Sequence, residues 1–345
     1  MSVESAYSSN LWEVSVRDQI LAAFLAAKEH RVSGAQLSRQ LGLTRAAVWK
    51  HIHSLEQLGF EFSAATRRGY QLERVPDLLL GPILWQRLPE QARFGRPVVW
   101  QPEVDSTNVL ALRLAQQGAP HGTLVNALVQ TGGRGRRGRS WVSPSGGLWL
   151  SLILRQSLPL AVAHELTLVT SVAVYRAIQK QAAFPLSIKW PNDILCDGRK
   201  VCGILAEMRT DGETVDYAVL GIGINTNVQP VDLPTDLNAK AASLAAYRGE
   251  PISHVDLTAD ILTELEPMYD RLVEGQSAFR QVADEWRAHS ATLGRRVEVT
   301  VGHNTYQGLA EWLDDDGVLQ LRLDNGVRLP IHSGEVLLAQ GESQP

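Results

Sequence analysis

Apolar residues recur at helical spacing near the N-terminus and alternate at strand spacing near the C-terminus, with a mixed pattern between. In the stretch Val16 to His30, Ile20, Leu21, Phe24 and Leu25 share one helical face. Ser33 is placed to cap a short helix holding Leu37 and Leu41, and Gly42 ends it. Thr44 caps the next helix, whose Val48, Ile52 and Leu55 point inward and leave Arg45, Ala46, Trp49, Lys50 and His53 outside. Phe60 to Phe62 and Tyr70 to Leu72 then read as two strands around Thr66-Arg67-Arg68-Gly69. A plain three-helix bundle explains the apolar spacing but neither the hairpin nor the charge placement. The pattern predicts a winged helix-turn-helix over residues 16–75, behind a flexible extension over 1–15. Arg67 and Arg68 would meet phosphates, and Arg45, Trp49, Lys50 and His53 would face the DNA groove.

Glu73 to Asp77 reads as a linker. Beyond it, over 76–290, strands are predicted at 97–102, 122–129, 148–154, 187–190, 194–196, 200–209 and 216–225. Helices are predicted at 107–117, 164–181, 254–273 and 277–290. Hairpin-linked strands with segregated helices give an α+β domain on a mixed, largely antiparallel sheet, without a Rossmann unit. From residue 291 to 345, short alternating strands broken by Asp314-Asp-Asp-Gly317 and Asp324-Asn-Gly326 predict a small β-barrel.

At 345 residues the chain has room for these three parts, and 44% hydrophobic with 20% charged residues is ordinary for a globular protein. The net charge of −4 argues against a chain coated in nucleic acid, so contact must be local. Residues 31–75 meet that condition, with seven basic residues against three acidic ones. Cys196 and Cys202 flank the turn Asp197-Gly198 and read as reduced core residues. There is neither a signal-peptide pattern nor a membrane span, which points to a cytoplasmic protein.

Four segments carry candidate chemistry, and a fifth adds to them. Gln130-Thr-Gly-Gly-Arg-Gly-Arg-Arg-Gly-Arg-Ser-Trp141 combines glycine freedom with forked guanidinium donors, a loop suited to anions, though such a loop also serves as a nucleic-acid arm or a solvated turn. Asp105-Ser-Thr-Asn108 opens a helix with N–H groups and hydroxyls facing outward, which an ordinary N-cap would also explain. Ile188-Lys-Trp-Pro-Asn-Asp193 sets Lys189, Asn192 and Asp193 at a strand mouth, a cation beside oxygens suited to Mg²⁺. Gly198-Arg-Lys-Val-Cys-Gly203 places Lys200 at a strand start, and Gly221-Ile-Gly-Ile-Asn225 adds bare backbone where a flat ring could approach. Together they suit activation of a carboxylate by a nucleotide.

The order of these motifs resembles the family of bifunctional biotin protein ligases and biotin operon repressors, over nearly everything after residue 16. The resemblance implies a central class II synthetase-like biotin ligase domain with a C-terminal SH3-like β-barrel. It implies that biotin and ATP form biotinyl-5′-adenylate, whose biotin passes to a lysine of a biotin carboxyl carrier protein. It assigns biotin to Ser106, Thr107, Asn108, Gln130, Arg134, Gly135, Arg136, Lys200 and Gly203. ATP falls to Arg136, Arg137, Arg139, Trp141, Lys189 and Asn225, and Mg²⁺ to Asn192 and Asp193. Lys200, Arg136 and Lys189 would act on the reacting groups. The repressor class implies operator DNA and a ligand-promoted homodimer as partners.

Two positions depart from some relatives. Gly334-Glu335 leads to Leu337, Leu338 and Ala339 where an arginine can stand, and Ser243-Leu244 follows Ala241-Ala242 where a tryptophan can pack on adenine. A lipoate ligase, and a winged-helix sensor that binds without catalysing, are the rival readings.

Overall fold

The computed structural model describes residues 11–28, 30–65 and 68–338. Helices α1 (Val16–Ala27), α2 (Gly34–Gln40) and α3 (Arg45–Gln57) bury Ile20, Leu21, Phe24, Leu37, Val48, Ile52 and Leu55 as the spacing selects, while Leu25 and Leu41, also selected, are only half-buried. Thr44 Oγ1 accepts the Ala47 N–H at 3.1 Å and caps α3 as expected, whereas Ser33 makes no side-chain cap. Strands β1 (Glu61–Ala65) and β2 (Gly69–Arg74) form the wing, and Val32 exchanges two backbone hydrogen bonds with Tyr70 to tie α2 to it. Arg31 reinforces the junction by donating to the Ser63 and Gly69 carbonyls. Arg67 lies outside the described residues.

The expectation of a flexible extension over 1–15 is corrected in part. Residues 1–10 lie outside the described set, but Leu11 and Trp12 pack against the central domain's Val99, Leu110, Leu114 and Val219 cluster. Two apolar side chains at the end of a polar stretch found an apolar patch to cover. Arg17 sits 5.7 Å from the Trp100 ring, so a second contact joins the N-terminal helices to the centre. The linker is anchored as well. Asp77 accepts hydrogen bonds from Ser253 Oγ at 3.1 Å, His254 N–H at 2.6 Å and Val255 N–H at 3.1 Å, capping the long helix His254–Val273.

The central sheet runs β3 (Val98–Val104), β4 (Leu124–Gln130), β5 (Leu148–Leu154), β10 (Thr214–Ile224), β9 (Arg199–Asp211), β8 (Asp193–Cys196), β7 (Leu186–Lys189), with β6 (Leu158–Pro159) beside β10. Only the β3–β4 pair is parallel, because the helix Thr107–Gln116 crosses between them; the other neighbours are antiparallel. The helices Glu165–Gln181 and His254–Val273 bury one face of the sheet, and Thr107–Gln116 packs on β4, β5 and β10 from the other. All seven residues of β5 are buried, since that strand lies between helices on both faces. The expected helix over 277–290 is instead a turn at Phe279–Gln281 and a short helix at Ala283–Ala288, separated by Val282. Phe279 and Trp286 both point into the core with rings 6.4 Å apart.

The C-terminal part is a five-stranded antiparallel sheet in the order β14 (Arg328–Ile331), β13 (Leu319–Leu323), β12 (Asn304–Leu313), β11 (Arg296–Val301), β15 (Glu335–Leu338). The two cysteines are free and buried, and burial pushes the Cys196 thiol up to about 11 and the Cys202 thiol further, so neither is a thiolate at neutral pH. Among the described residues no helix is long and apolar enough to cross a membrane.

Candidate active site

Strands β4, β5, β9 and β10 end around one cleft of about 210 Å³, and the loop after β4 closes it against β15. Its wall includes Ser106, Thr107, Asn108, Gln130, Arg134, Gly135, Arg136, Arg137, Arg139, Trp141, Lys189, Asn192, Asp193, Lys200 and Gly203, so most of the candidate residues meet in one place. Asn225 is the exception. It follows β10 and is buried, its N–H donating to the Val201 carbonyl and its carbonyl accepting the Leu244 N–H, and it does not line the cleft. β10 continues to Ile224 before the chain turns away, so the strand leaves Ile222 and Gly223 at the wall instead.

Asp105 is exposed, but Ser106, Thr107 and Asn108 turn into the protein and not outward as the sequence suggests. Ser106, Thr107 and Asn108 are 2%, 4% and 4% exposed. Gln130 Oε1 accepts the Thr107 N–H at 2.8 Å and the Thr107 hydroxyl at 3.1 Å, while its Nε2 donates to Ser143 Oγ at 2.8 Å. A helix start that needed a cap receives it from a strand side chain. Ser151 Oγ lies 2.8 Å from Thr107 Oγ1 and 2.6 Å from Asn108 Oδ1. Sequence reading missed Ser151 and Ser143, although a lone serine inside Leu-Trp-Leu-Ser-Leu-Ile-Leu is a visible signal.

At the other end the cations gather. Lys200 Nζ pairs with Asp193 Oδ1 at 2.7 Å and sits 4.9 Å from the Trp141 ring, so it is held in place, unlike an ordinary lysine at a strand start. Arg136 donates to Asn192 Oδ1 at 3.3 Å and to the Gly334 carbonyl at 3.1 Å, and Asn192 Nδ2 donates to the Ile204 carbonyl at 2.8 Å. Arg137 reaches the Thr300 carbonyl at 3.0 Å, and Arg139 pairs with Glu335. The C-terminal sheet thus holds the arginine loop through Thr300, Gly334 and Glu335, none of which the sequence pointed to as a site residue. Burial pushes the Lys189 ammonium below its ordinary value, with Lys200 and Arg139 adding to the effect and Asp193 and Glu335 opposing it. Burial likewise lowers Arg136, against the pull of Asp193.

The glycines of β9 and β10 admit a ring, but it is the protein's own. A Cβ on Gly203 or Gly223 would stand 2.9 Å or 2.8 Å from the Trp141 indole, and one on Gly221 would stand 2.2 Å from Asn108 Oδ1. Asn192 and Asp193 bring oxygens to the cleft, where a hard cation would share them with Arg136 and Lys200 and take its other ligands from phosphate and water. Among the described residues no group of three or more His, Cys, Asp or Glu could hold a metal without such help.

In the N-terminal part, Arg45, Lys50, His53 and Arg68 are exposed and Trp49 is 57% exposed. The Trp49 and His53 rings stack 5.4 Å apart with a 3° tilt, and His53 Nδ1 lies 3.1 Å from Glu56. One flat aromatic face on a half-apolar helix is left with no core to enter, which suits contact with another molecule.

A helix-turn-helix joined to a mixed sheet with an anion-closing loop, and capped by an antiparallel sheet, defines a nucleotide-using ligase with a DNA-binding part. The Biotin/lipoate A/B protein ligase family matches residues 100–225, an HTH domain family matches 16–71, and the Biotin protein ligase C terminal domain matches 292–338. The bifunctional ligase/repressor BirA of Bacillus subtilis (strain 168) is 37% identical over 326 residues, 94% of this chain and 99% of its own. BirA of Escherichia coli (strain K12) is 32% identical over 93% of this chain and 97% of its own. Among solved structures, the biotin protein ligase from Aquifex aeolicus in complex with biotin and ATP superposes with a TM-score of 0.61 at 29% identity, over 71% of this chain and 100% of its own. The chain belongs to the bifunctional biotin protein ligase and repressor family.

Proposed function

We propose that this protein activates biotin with ATP and transfers it to a lysine of a biotin carboxyl carrier protein, and that the activated ligand controls its binding to operator DNA. The observation that carries the reading is the polarity of one cleft, with Ser106, Thr107 and Gln130 at one end and Lys189, Lys200 and Arg136 at the other. A neutral, amide-bearing ring fits the first end and the carboxylate with its phosphate partner fits the second. The carboxylate oxygen attacks the α-phosphorus of ATP, the bond to pyrophosphate breaks, and biotinyl-5′-AMP forms. The carrier lysine, as a free amine, then attacks the acyl carbon and AMP leaves.

Attack of one anion on another is opposed by charge. Lys200, already fixed by Asp193, and Arg136, fixed by Asn192, put cations where negative charge builds up. Lys189 is half-buried beside them, and an arriving triphosphate favours its charged form. Asn192 and Asp193 would hold Mg²⁺ against phosphate oxygens, where the ion supplies neutralisation of the triphosphate. The arginine loop, docked on the C-terminal sheet, excludes water from the acyl phosphate.

The DNA-binding side has Arg45, Trp49, Lys50 and His53 on α3 as groove readers and Arg68 of the wing at the phosphates; Arg67, its neighbour in sequence, would add a second charge. One reader per chain implies a homodimer on a two-part operator, with biotinyl-5′-AMP favouring that dimer. Incubation with ATP, Mg²⁺ and either biotin or lipoate, followed by mass spectrometry, should give biotinyl adenylate alone. Lipoyl adenylate would reverse the substrate, and neither would favour a sensor. Operator titration and sedimentation with and without biotin plus ATP should show tighter binding and a doubled mass with ligand. Equal affinity and unchanged mass would refute the corepressor role.

A further inference from the structure

Glu207 stands on β9 outside the cleft wall, half-buried, and none of the chemistry above uses it. Its Oε2 accepts a hydrogen bond from Asn108 Nδ2 at 2.7 Å, and this is the one bond from Asn108's amide nitrogen to a side chain that cannot donate in return. Asn108 lines the cleft, is 4% exposed, and has its Oδ1 pressed over Gly221 and 2.6 Å from Ser151 Oγ.

An asparagine amide has two ends of nearly equal shape, and its neighbours must decide which points where. Ser151 cannot decide, because a hydroxyl both donates and accepts. Glu207 can, because its carboxylate accepts only, and turning the amide over would set Oδ1 against a negative oxygen. With Nδ2 held by Glu207, Oδ1 receives the Ser151 proton, so Thr107 donates in its 2.8 Å contact with Ser151, and Gln130 Oε1 keeps the Thr107 N–H. Gln130 Nε2 then donates to Ser143, which donates to the Trp141 carbonyl at 3.1 Å. The row of polar groups at this end of the cleft therefore has a fixed sense, anchored by an acceptor at each end.

We infer that Glu207 is a positioning residue for the head group of the bound acid: it locks the Asn108 amide, and through Ser151 the donor and acceptor pattern that reads a cyclic urea. The inference rests on biotin being the acid bound. It predicts that Glu207→Gln, of the same shape but able to donate, weakens biotin about tenfold while leaving the KM for ATP unchanged. In an Asn108→Ala background the same change should have no further effect, since Glu207 acts only through that amide.

Calorimetric titration of biotin into wild type, Glu207→Gln, Asn108→Ala and the double variant tests this, with initial-rate KM values for biotin and ATP. Glu207→Ala serves as a second variant should Glu207→Gln fail to fold, with circular dichroism reporting folding. Biotin affinity unchanged in folded Glu207→Gln, an equal loss in both backgrounds, or a matching loss for ATP would overturn the inference. A wild type that binds no biotin would instead overturn the functional reading beneath it.

Discussion

Replacing Lys200 by alanine separates catalysis from folding. The side chain is 33% exposed and its partner Asp193 16%, so the pair is partly screened and its loss costs about 1 kcal/mol of stability. The contact with the Trp141 ring adds about 0.5 kcal/mol. Asp193 keeps Arg136 and Lys189 within its field, so the stranded carboxylate is not left alone. The reaction loses more. A fixed donor aimed at developing charge in a dry site is worth about 10² to 10³ in rate, or roughly 3–4 kcal/mol. Pyrophosphate release at saturating biotin and ATP should therefore fall by two to three orders of magnitude while urea unfolding shifts only slightly. Lys200→Arg should recover little, because a planar fork cannot replace a point charge in the same place. Adenylate formation within about threefold of wild type, or a loss that follows unfolding, would refute the assignment of Lys200 to the reacting groups.

The remaining predictions concern other parts of the same machinery. Arg136→Gly frees the loop from Asn192 and Gly334, so adenylate should escape and label lysines of a bystander protein, measurable by streptavidin blot. Because burial lowers Lys189, the cation is lost at a lower pH than for an ordinary lysine, and activity should decline on the alkaline side; Lys189→Arg should move that decline upward in a pH–rate profile. Removing residues 1–75 should abolish operator binding and leave measurable adenylation, since every proposed catalytic residue lies later. It also uncovers the face of Gly81–Trp85 against which α1 packs, so the thermal midpoint should drop, read by calorimetry.

Local pattern alone determined the three-part order, the helices around Ile20, Val48 and Leu257, and the hairpins. These are effects of neighbours in sequence: apolar spacing, a capping threonine, glycines at turns. The motifs also carried most of the cleft, because Lys189, Lys200 and the arginines sit at strand ends that a sheet gathers together. What the tertiary structure decided were the partners. Trp141 fills the space over Gly203 and Gly223, Gln130 caps the helix at Thr107, Glu335 and Thr300 from the far end of the chain hold the arginine loop, and Leu11 and Trp12 cover a patch on the central domain. Each joins residues brought together only by the packing of distant elements, so no spacing along the chain records it; Arg139 and Glu335 are the clearest case, opposite charges that look like solvated surface until the C-terminal sheet folds back over the cleft.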